Sequence, residues 1–190
     1  MLEALWPDKP PSSTEVLSHA AASELRRALE PWLPPKFPSR YLDVTEGQVT
    51  LRLPNGSWLD YGAFENHVHR CEWLEAVALF AGQLFPADRY AGWAAEPRER
   101  LNQDFVRAAL AAGEQRLREG APAEAAELCR RTLEIDPWQE KATLLGMRSR
   151  AAQGDRTGAM RLYRALEQRL RKDLDTEPEP PLRDLYQALR

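Results

Sequence analysis

Cysteine, histidine and long apolar runs are scarce in this sequence, and each scarcity excludes a class of protein. The 190 residues include two cysteines and three histidines, and Cys71 and Cys129 lie too far apart in the chain to form a redox or metal motif. No apolar run reaches the roughly 18 residues of a membrane span. The first residues lack the basic start and apolar stretch of a signal peptide. We therefore expect a cytoplasmic protein without a membrane partner or a disulfide framework.

Sequence motifs for catalysis and cofactor binding are also missing. The chain holds no Gly-rich phosphate loop, no Gly-x-Ser-x-Gly and no His-Glu-x-x-His. The best cluster is His67, His69 and Cys71, in which His67 and Cys71 would share one face of a helix. Two such ligands are short of the roughly four that zinc needs. We predict no enzyme, no cofactor and no metal, with Cys71 in the core and both histidines partly exposed. Metal binding or catalysis by the cluster is the alternative.

The charge balance gives little support for nucleic-acid binding. The formal net charge is −3, with 26 Lys and Arg against 29 Asp and Glu. Residues 1–60 carry −2 and residues 61–190 carry −1, whereas a DNA-binding domain usually shows a basic surface. Residues 9–42 alone reach +2, which is a weak basic patch. Hydrophobic and charged fractions of 43% and 29% are those of a globular protein.

A repeat between residues 110 and 164 is the strongest positive signal in the chain. Five residues recur 34 positions later, a period typical of tetratricopeptide units, which are stacked pairs of helices. The matched pairs are Leu110 with Leu144, Gly120 with Gly154, Ala125 with Ala159, Leu128 with Leu162, and Arg130 with Arg164. The glycines fall where one helix must turn into the next. Two ordinary antiparallel helix pairs that agree by chance are the alternative.

Periodicity and turn signals divide the chain into an N-terminal segment of mixed structure and a helical remainder. In residues 1–60 we predict the end of a helix at Leu2–Trp6, a helix at 13–29 capped by Ser12–Thr14, a hairpin of strands 40–44 and 48–53, and a last short strand at 58–60. From residue 61 onward we predict helices. The first ends at about residue 80 and a long one begins at 96. Further helices are predicted at 122–135, at 138–152 with Pro137 as its start, at 156–173 and at 182–189. The expected fold is mainly α, a tetratricopeptide-like repeat domain at 61–190 behind a segment with a β-hairpin.

The helix at 13–29 followed by a hairpin suggests a DNA reader. This is the element order of winged-helix proteins, in which a helix enters the major groove and the hairpin contacts the backbone. The candidate DNA-contacting residues are His19, Ser23, Arg26 and Arg27 on the helix, with Lys36, Arg40 and Arg52 at phosphates. A solvated helix face with ordinary arginines is the alternative.

Several short segments resemble landmarks of the SARP-type bacterial transcriptional activators. They are Leu5-Trp6-Pro7-Asp8, Ser23-Glu24-Leu25-Arg26-Arg27-Ala28-Leu29, Asp60-Tyr61-Gly62-Ala63-Phe64-Glu65, Leu79-Phe80-Ala81-Gly82-Gln83-Leu84-Phe85-Pro86, Trp93 with Arg98-Glu99-Arg100-Leu101, and Leu174-Asp175-Thr176-Glu177-Pro178. The resemblance implies an OmpR-type winged helix followed by a bacterial transcriptional activator domain of tetratricopeptide-like helices. It covers nearly the whole chain.

The resemblance also carries two departures. The family's winged helix begins with a small sheet and a helix before the Leu-Trp-Pro landmark, whereas this chain starts almost at that landmark, so we expect a truncated winged helix. Glu24 stands where the family usually has a basic residue, and Ser18 and Ala22 stand where it has larger apolar ones. These departures favour a chain without DNA contact of its own.

Two functional hypotheses follow. In the first, the chain is a transcriptional regulator or a fragment of one, with a partial winged helix at 1–60 and a repeat domain at 61–190. Its partners would be DNA, the transcription machinery or another protein domain, and a second copy of itself. In the second, it is a protein–protein interaction or scaffold module that does not bind DNA.

Overall fold

The computed structural model describes residues 5–6, 8–34, 36–45 and 48–190. Its helices are α1 Pro11–Leu29, α2 Asp60–His69, α3 Trp73–Leu79, α4 Ala95–Arg118, α5 Pro122–Ile135, α6 Glu140–Ala152, α7 Arg156–Asp173 and α8 Pro180–Ala188, and its strands are β1 Leu42–Thr45 and β2 Gln48–Leu51. Single turns of 3-10 helix lie at Pro86–Asp88 and Gly92–Ala94. The predicted fold class, helical repeats with a β-hairpin, is confirmed. The predicted helix end at Leu2–Trp6 lies outside the described residues except for its last two.

The chain divides into two compact units. The first consists of Met1–Trp58 with Asp88–Glu96, and the second, the helical unit, consists of Leu59–Ala87 with Pro97–Arg190. No helix within the described ranges combines the length and the apolar character needed to cross a membrane.

In the first unit, helix α1 begins earlier than predicted. The Ser12–Thr14 cap is wrong, because Pro10 is the N-cap and no side chain caps the helix. Pro11 occupies the first helical position, where its missing N–H costs nothing. The backbone N–H groups of Ser13 and Thr14 donate to the carbonyl of Pro10 at 2.9 and 3.1 Å.

The hairpin of the first unit is antiparallel, as predicted. Leu42 pairs with Leu51 and Thr45 with Gln48, while the tip at 46–47 lies outside the described residues. The predicted strand at 58–60 is wrong, because Asp60 begins α2 instead. Leu42 is buried, whereas Leu51 is 50% exposed, so one end of the hairpin contributes to the core of this unit.

In the helical unit, the predicted helix to residue 80 is interrupted by a turn. Helix α2 ends at His69 and α3 begins at Trp73. Between them Cys71 adopts a φ of +57°, and the N–H of Glu72 donates to the carbonyl of His67 at 2.9 Å. The turn projects Cys71 into solvent, so the prediction that Cys71 belongs to the core is wrong.

The larger apolar core joins side chains of α2, α3, α4 and α5. Phe105 of α4 is fully buried in it, and its ring stacks on Phe80 with a centroid distance of 4.0 Å. Arg131 of α5 lies over the same ring, with its guanidinium carbon 4.8 Å from the Phe105 centroid. Arg131 also donates to the carbonyls of Val77 and Phe80 at 3.1 and 2.6 Å. It thereby satisfies carbonyls that the end of α3 leaves open.

The predicted repeat is visible as two identical turns. Gly120 between α4 and α5 and Gly154 between α6 and α7 both have a φ of +78°. In the first turn the N–H of Ala121 donates to the carbonyl of Arg116 at 2.8 Å, and in the second Asp155 donates to Arg150 at 2.9 Å. The donors of the two hydrogen bonds are 34 residues apart in the chain, and so are the acceptors. The small residues at the second helix of each pair, Ala125 and Ala159, are fully buried, which permits close helix packing.

Replacing Gly120 or Gly154 by Ala should destabilise the helical unit by about 1–2 kcal/mol each, because an L-residue pays that cost in the left-handed region. A Cβ at either position would meet no atom within 4 Å, so the backbone conformation alone causes the loss. Urea unfolding of the two variants measures it. Equal losses are expected, whereas a cost at only one position would contradict the repeat.

A second apolar core holds the C-terminal part of the stack together. Leu182 of α8 is 1% exposed and packs with Met147 of α6 and Leu166 of α7. Tyr186 of α8 stacks on Tyr163 at a centroid distance of 4.3 Å. Helix α8 therefore closes the end of the repeat stack. Pro137, however, does not start α6, which begins at Glu140.

Candidate functional site

Helix α1 presents a polar stripe to solvent. His19, Ser23 and Arg27 are four residues apart and all exposed, and residues at this spacing lie on one face of a helix. Thr14, Ser18 and Ala22 form the opposite stripe, where Thr14 is 5% exposed. The structure thus brings three of the predicted DNA-contacting residues together on one surface, which we call the α1 stripe.

The remaining candidate on the helix, Arg26, does not belong to this stripe. It follows Thr14, Ser18 and Ala22 at the same spacing and is half-buried. Its guanidinium donates to the carbonyl of Pro34 at 2.9 Å, which ties the loop after α1 to the helix. Arg26 therefore holds the loop rather than projecting from the exposed face.

The three candidate cations after the helix differ in how freely they project. Arg52 forms an ion pair with Asp43 of β1. Lys36 and Arg40 are exposed, and neither side chain hydrogen-bonds to any residue that the structure describes. Lys36 has a φ of +73°, uncommon outside glycine.

Glu30 is a residue of this site that the sequence did not reveal. Its carboxylate accepts hydrogen bonds from the Ser39 hydroxyl and from the N–H of Arg40, the latter at 3.1 Å. The Ser39 oxygen in turn accepts from the N–H of Leu42 at 2.9 Å. The Ser39 hydroxyl is the main cause that lowers the pKa of Glu30. Glu30 therefore joins the end of α1 to the start of β1, and it places a carboxylate near the candidate cations.

The cluster of His67, His69 and Cys71 is not assembled as a metal site. His67 Nδ1 lies 2.6 Å from Glu72 Oε2, whereas His69 and Cys71 are exposed. Among the described residues, no group of three or more His, Cys, Asp and Glu could hold a metal ion. The His67–Glu72 contact instead closes the turn between α2 and α3.

The two thiols should differ strongly in reactivity. Cys129 of α5 is 3% exposed, and burial raises the pKa of its thiol from 9.0 to about 12. Its thiolate fraction is therefore about 1,000-fold smaller than that of an unperturbed thiol. Ellman's reagent should label one thiol quickly in the folded chain and the second on unfolding. A Cys71→Ser variant should lose the fast phase, and two fast thiols would contradict the burial of Cys129.

Comparisons with known proteins give the family. Residues 58–190 match the family model of the bacterial transcriptional activator domain, and no curated protein matches the chain. The solved structure of Mycobacterium tuberculosis EmbR in complex with a low affinity phosphopeptide matches it with a TM-score of 0.70 at 20% identity. That match covers 99% of this chain and 52% of the EmbR chain, so this chain spans about half the length of EmbR.

The resemblance recognised in the sequence is thus confirmed for the helical part. The matched family consists of transcriptional activator domains and is not an enzyme family, while the similarity to EmbR, at this identity, supports the fold alone. The family model matches well over half of the residues of this chain, and the chain therefore belongs to the bacterial transcriptional activator domain family.

Proposed function

We propose that this chain regulates transcription through two parts with different partners. Residues 1–60 contact DNA with the exposed stripe of α1, and residues 61–190 bind another protein, either part of the transcription machinery, a second protein domain or a second copy of the chain. The family supports the regulatory role. The assignment of a separate partner to each part is our inference from the division of the chain into two compact units, the first of which also includes Asp88–Glu96.

One observation carries the DNA contact. A helix of 19 residues exposes His19, Ser23 and Arg27 along one face, and an antiparallel hairpin that begins at Leu42 follows it in the chain. Such a helix fits the major groove, while cations on the loop that follows it reach phosphates. Among the candidate DNA-contacting cations, Arg27, Lys36 and Arg40 are exposed and carry no side-chain hydrogen bond to any residue that the structure describes.

Arg27→Ala should weaken the binding of duplex DNA by about tenfold, the usual worth of one charge-assisted hydrogen bond. Fluorescence anisotropy with labelled DNA at low salt measures the affinity. Arg171→Ala is the matched control, because Arg171 is an exposed arginine of α7 and its loss changes the net charge equally. Equal losses in both variants would show that only overall charge matters and would contradict a specific role for α1.

A second candidate function is an interaction module without DNA contact, and the pairing of the arginines favours it. Arg26 binds the carbonyl of Pro34, Arg52 is paired with Asp43, and Glu30 adds a carboxylate beside Arg40. These contacts reduce the positive charge available to phosphates. Under this alternative the folded chain binds no DNA at any salt concentration, and the helical unit alone carries the regulatory contacts.

A further inference from the structure

The helical unit contains an open groove that the proposed DNA contact does not use. The groove has a volume of about 660 Å³ and runs between α4 and the segment that leads from the end of α5 into α6. Val106 and Leu110 of α4 and Ile135 of α5 give it apolar walls. This volume lies within the range of ligand-binding clefts.

Carboxylates outnumber cations among the side chains that line the groove. Glu99 and Glu114 of α4 and Asp136 at the end of α5 line the groove. Glu99 accepts a hydrogen bond from Gln103 at 2.7 Å and Asp136 accepts one from Gln139 at 3.1 Å, and each carboxylate retains lone pairs for a further donor. Of the cations lining the groove, Arg107 is paired with Asp104 at 2.7 Å, which leaves Lys141 at the edge. Glu114 is exposed and forms no ion pair with any residue in the described ranges. The groove therefore carries a surplus of negative charge.

The carboxamide of Asn102 is a second acceptor that lacks a donor. Asn102 lines the groove, and its Oδ1 is buried without a hydrogen-bond partner among the described residues. A buried polar atom without a partner destabilises a fold, so native proteins hold few of them. Contact between Oδ1 and an N–H of a bound segment requires the carboxamide to rotate about χ2, a torsion that is broad in asparagine.

We propose that this groove binds an extended protein segment that carries Lys or Arg and aliphatic side chains. The segment's cations meet Glu99, Glu114 and Asp136, its aliphatic side chains lie on Val106 and Leu110, and a backbone N–H donates to Asn102. Every feature of the partner follows from complementarity, since an acceptor-rich groove with apolar walls selects donors and apolar groups. The inference rests on the proposed role of the helical unit in binding another protein, and it names the surface and the chemistry of that partner.

Selection of a phage-displayed library of random peptides of about twelve residues on the intact chain tests the inference. Recovered peptides are synthesised, labelled and titrated by fluorescence anisotropy against the parent chain and two groove variants, Glu114→Lys and Asn102→Leu. Glu75→Lys in α3 and Asn66→Leu in α2 are the matched controls, because both original side chains are exposed on helices outside the groove.

We expect peptides enriched in Lys, Arg and aliphatic residues, with affinities at least tenfold weaker for each groove variant and unchanged for each control. The melting temperature of Asn102→Leu should not fall, because Oδ1 has no hydrogen bond to lose. Recovery of no binder, or of acidic peptides, would overturn the inference. Peptides with equal affinity for the parent and for the groove variants would also overturn it. Such peptides would still support protein binding by another surface of the helical unit. The DNA contact is judged separately by the Arg27→Ala comparison.

Discussion

Phe105→Ala should destabilise the helical unit by about 3–5 kcal/mol, the usual cost of deleting a buried aromatic side chain. Phe105 is fully buried, and three separate contacts depend on its ring. It stacks on Phe80, it lies under the guanidinium of Arg131, and it fills the space between α2, α3 and α5. Removal leaves a cavity that rigid helices cannot close.

Guanidinium unfolding followed by circular dichroism measures this loss. Because domains are stable by only about 5–15 kcal/mol, the variant should unfold at a much lower denaturant concentration. Phe105→Leu, which retains most of the volume, should cost less than about 1.5 kcal/mol. Phe37→Ala is the control, since Phe37 is 59% exposed. A loss below about 1 kcal/mol for Phe105→Ala would contradict a core centred on this ring.

Leu182→Ala should cost about 2–5 kcal/mol and release helix α8 from the stack. Leu182 is 1% exposed on a helix of nine residues, and isolated helices of that length are not stable in water. The stability of α8 therefore comes from its packing on α6 and α7. Leu182 is the residue of α8 that is fully buried in this contact. Without this side chain the apolar surface of α7 becomes exposed to solvent.

Thermal unfolding together with hydrogen exchange tests the role of Leu182. The amides of α8 should exchange much faster in the variant, because its opening costs less free energy. Leu174→Ala is the matched control, since Leu174 is 57% exposed and follows the last residue of α7; its effect should stay within about 0.5 kcal/mol. Unchanged protection of α8 in Leu182→Ala would show that other contacts hold the helix.

The repeat domain could be predicted from sequence because its signals are local and occur twice. Gly120 and Gly154 mark turns that need a positive φ, and Ala125 and Ala159 mark close packing. The break at Cys71 could not be predicted, because a non-glycine residue at a positive φ carries no sequence signature. Its turn is held by contacts of the folded chain, among them the one between His67 and Glu72.

The candidate DNA surface can be predicted only in part from the sequence, for a similar reason. The spacing of His19, Ser23 and Arg27 follows from helical periodicity, and the structure places them on one face. The contacts of Arg26 with Pro34 and of Arg52 with Asp43 depend on how the loop and the hairpin fold back. The exposure of Leu25 and Leu29 in α1, 43% and 37%, likewise depends on how the rest of the first unit packs. Asn102 gave no signal, because only the packed groove reveals its missing donor.

The salt dependence of DNA binding by the intact chain tests the central claim most directly. Fluorescence anisotropy with duplex DNA across a salt series gives the slope of log K against log salt, while circular dichroism confirms that the chain is folded. Three exposed cations, Arg27, Lys36 and Arg40, predict a slope of about −3, and Arg27→Ala should reduce it by about one. A folded chain that binds no DNA even at the lowest salt would contradict DNA contact by α1 and leave the helical unit as the part that carries the function.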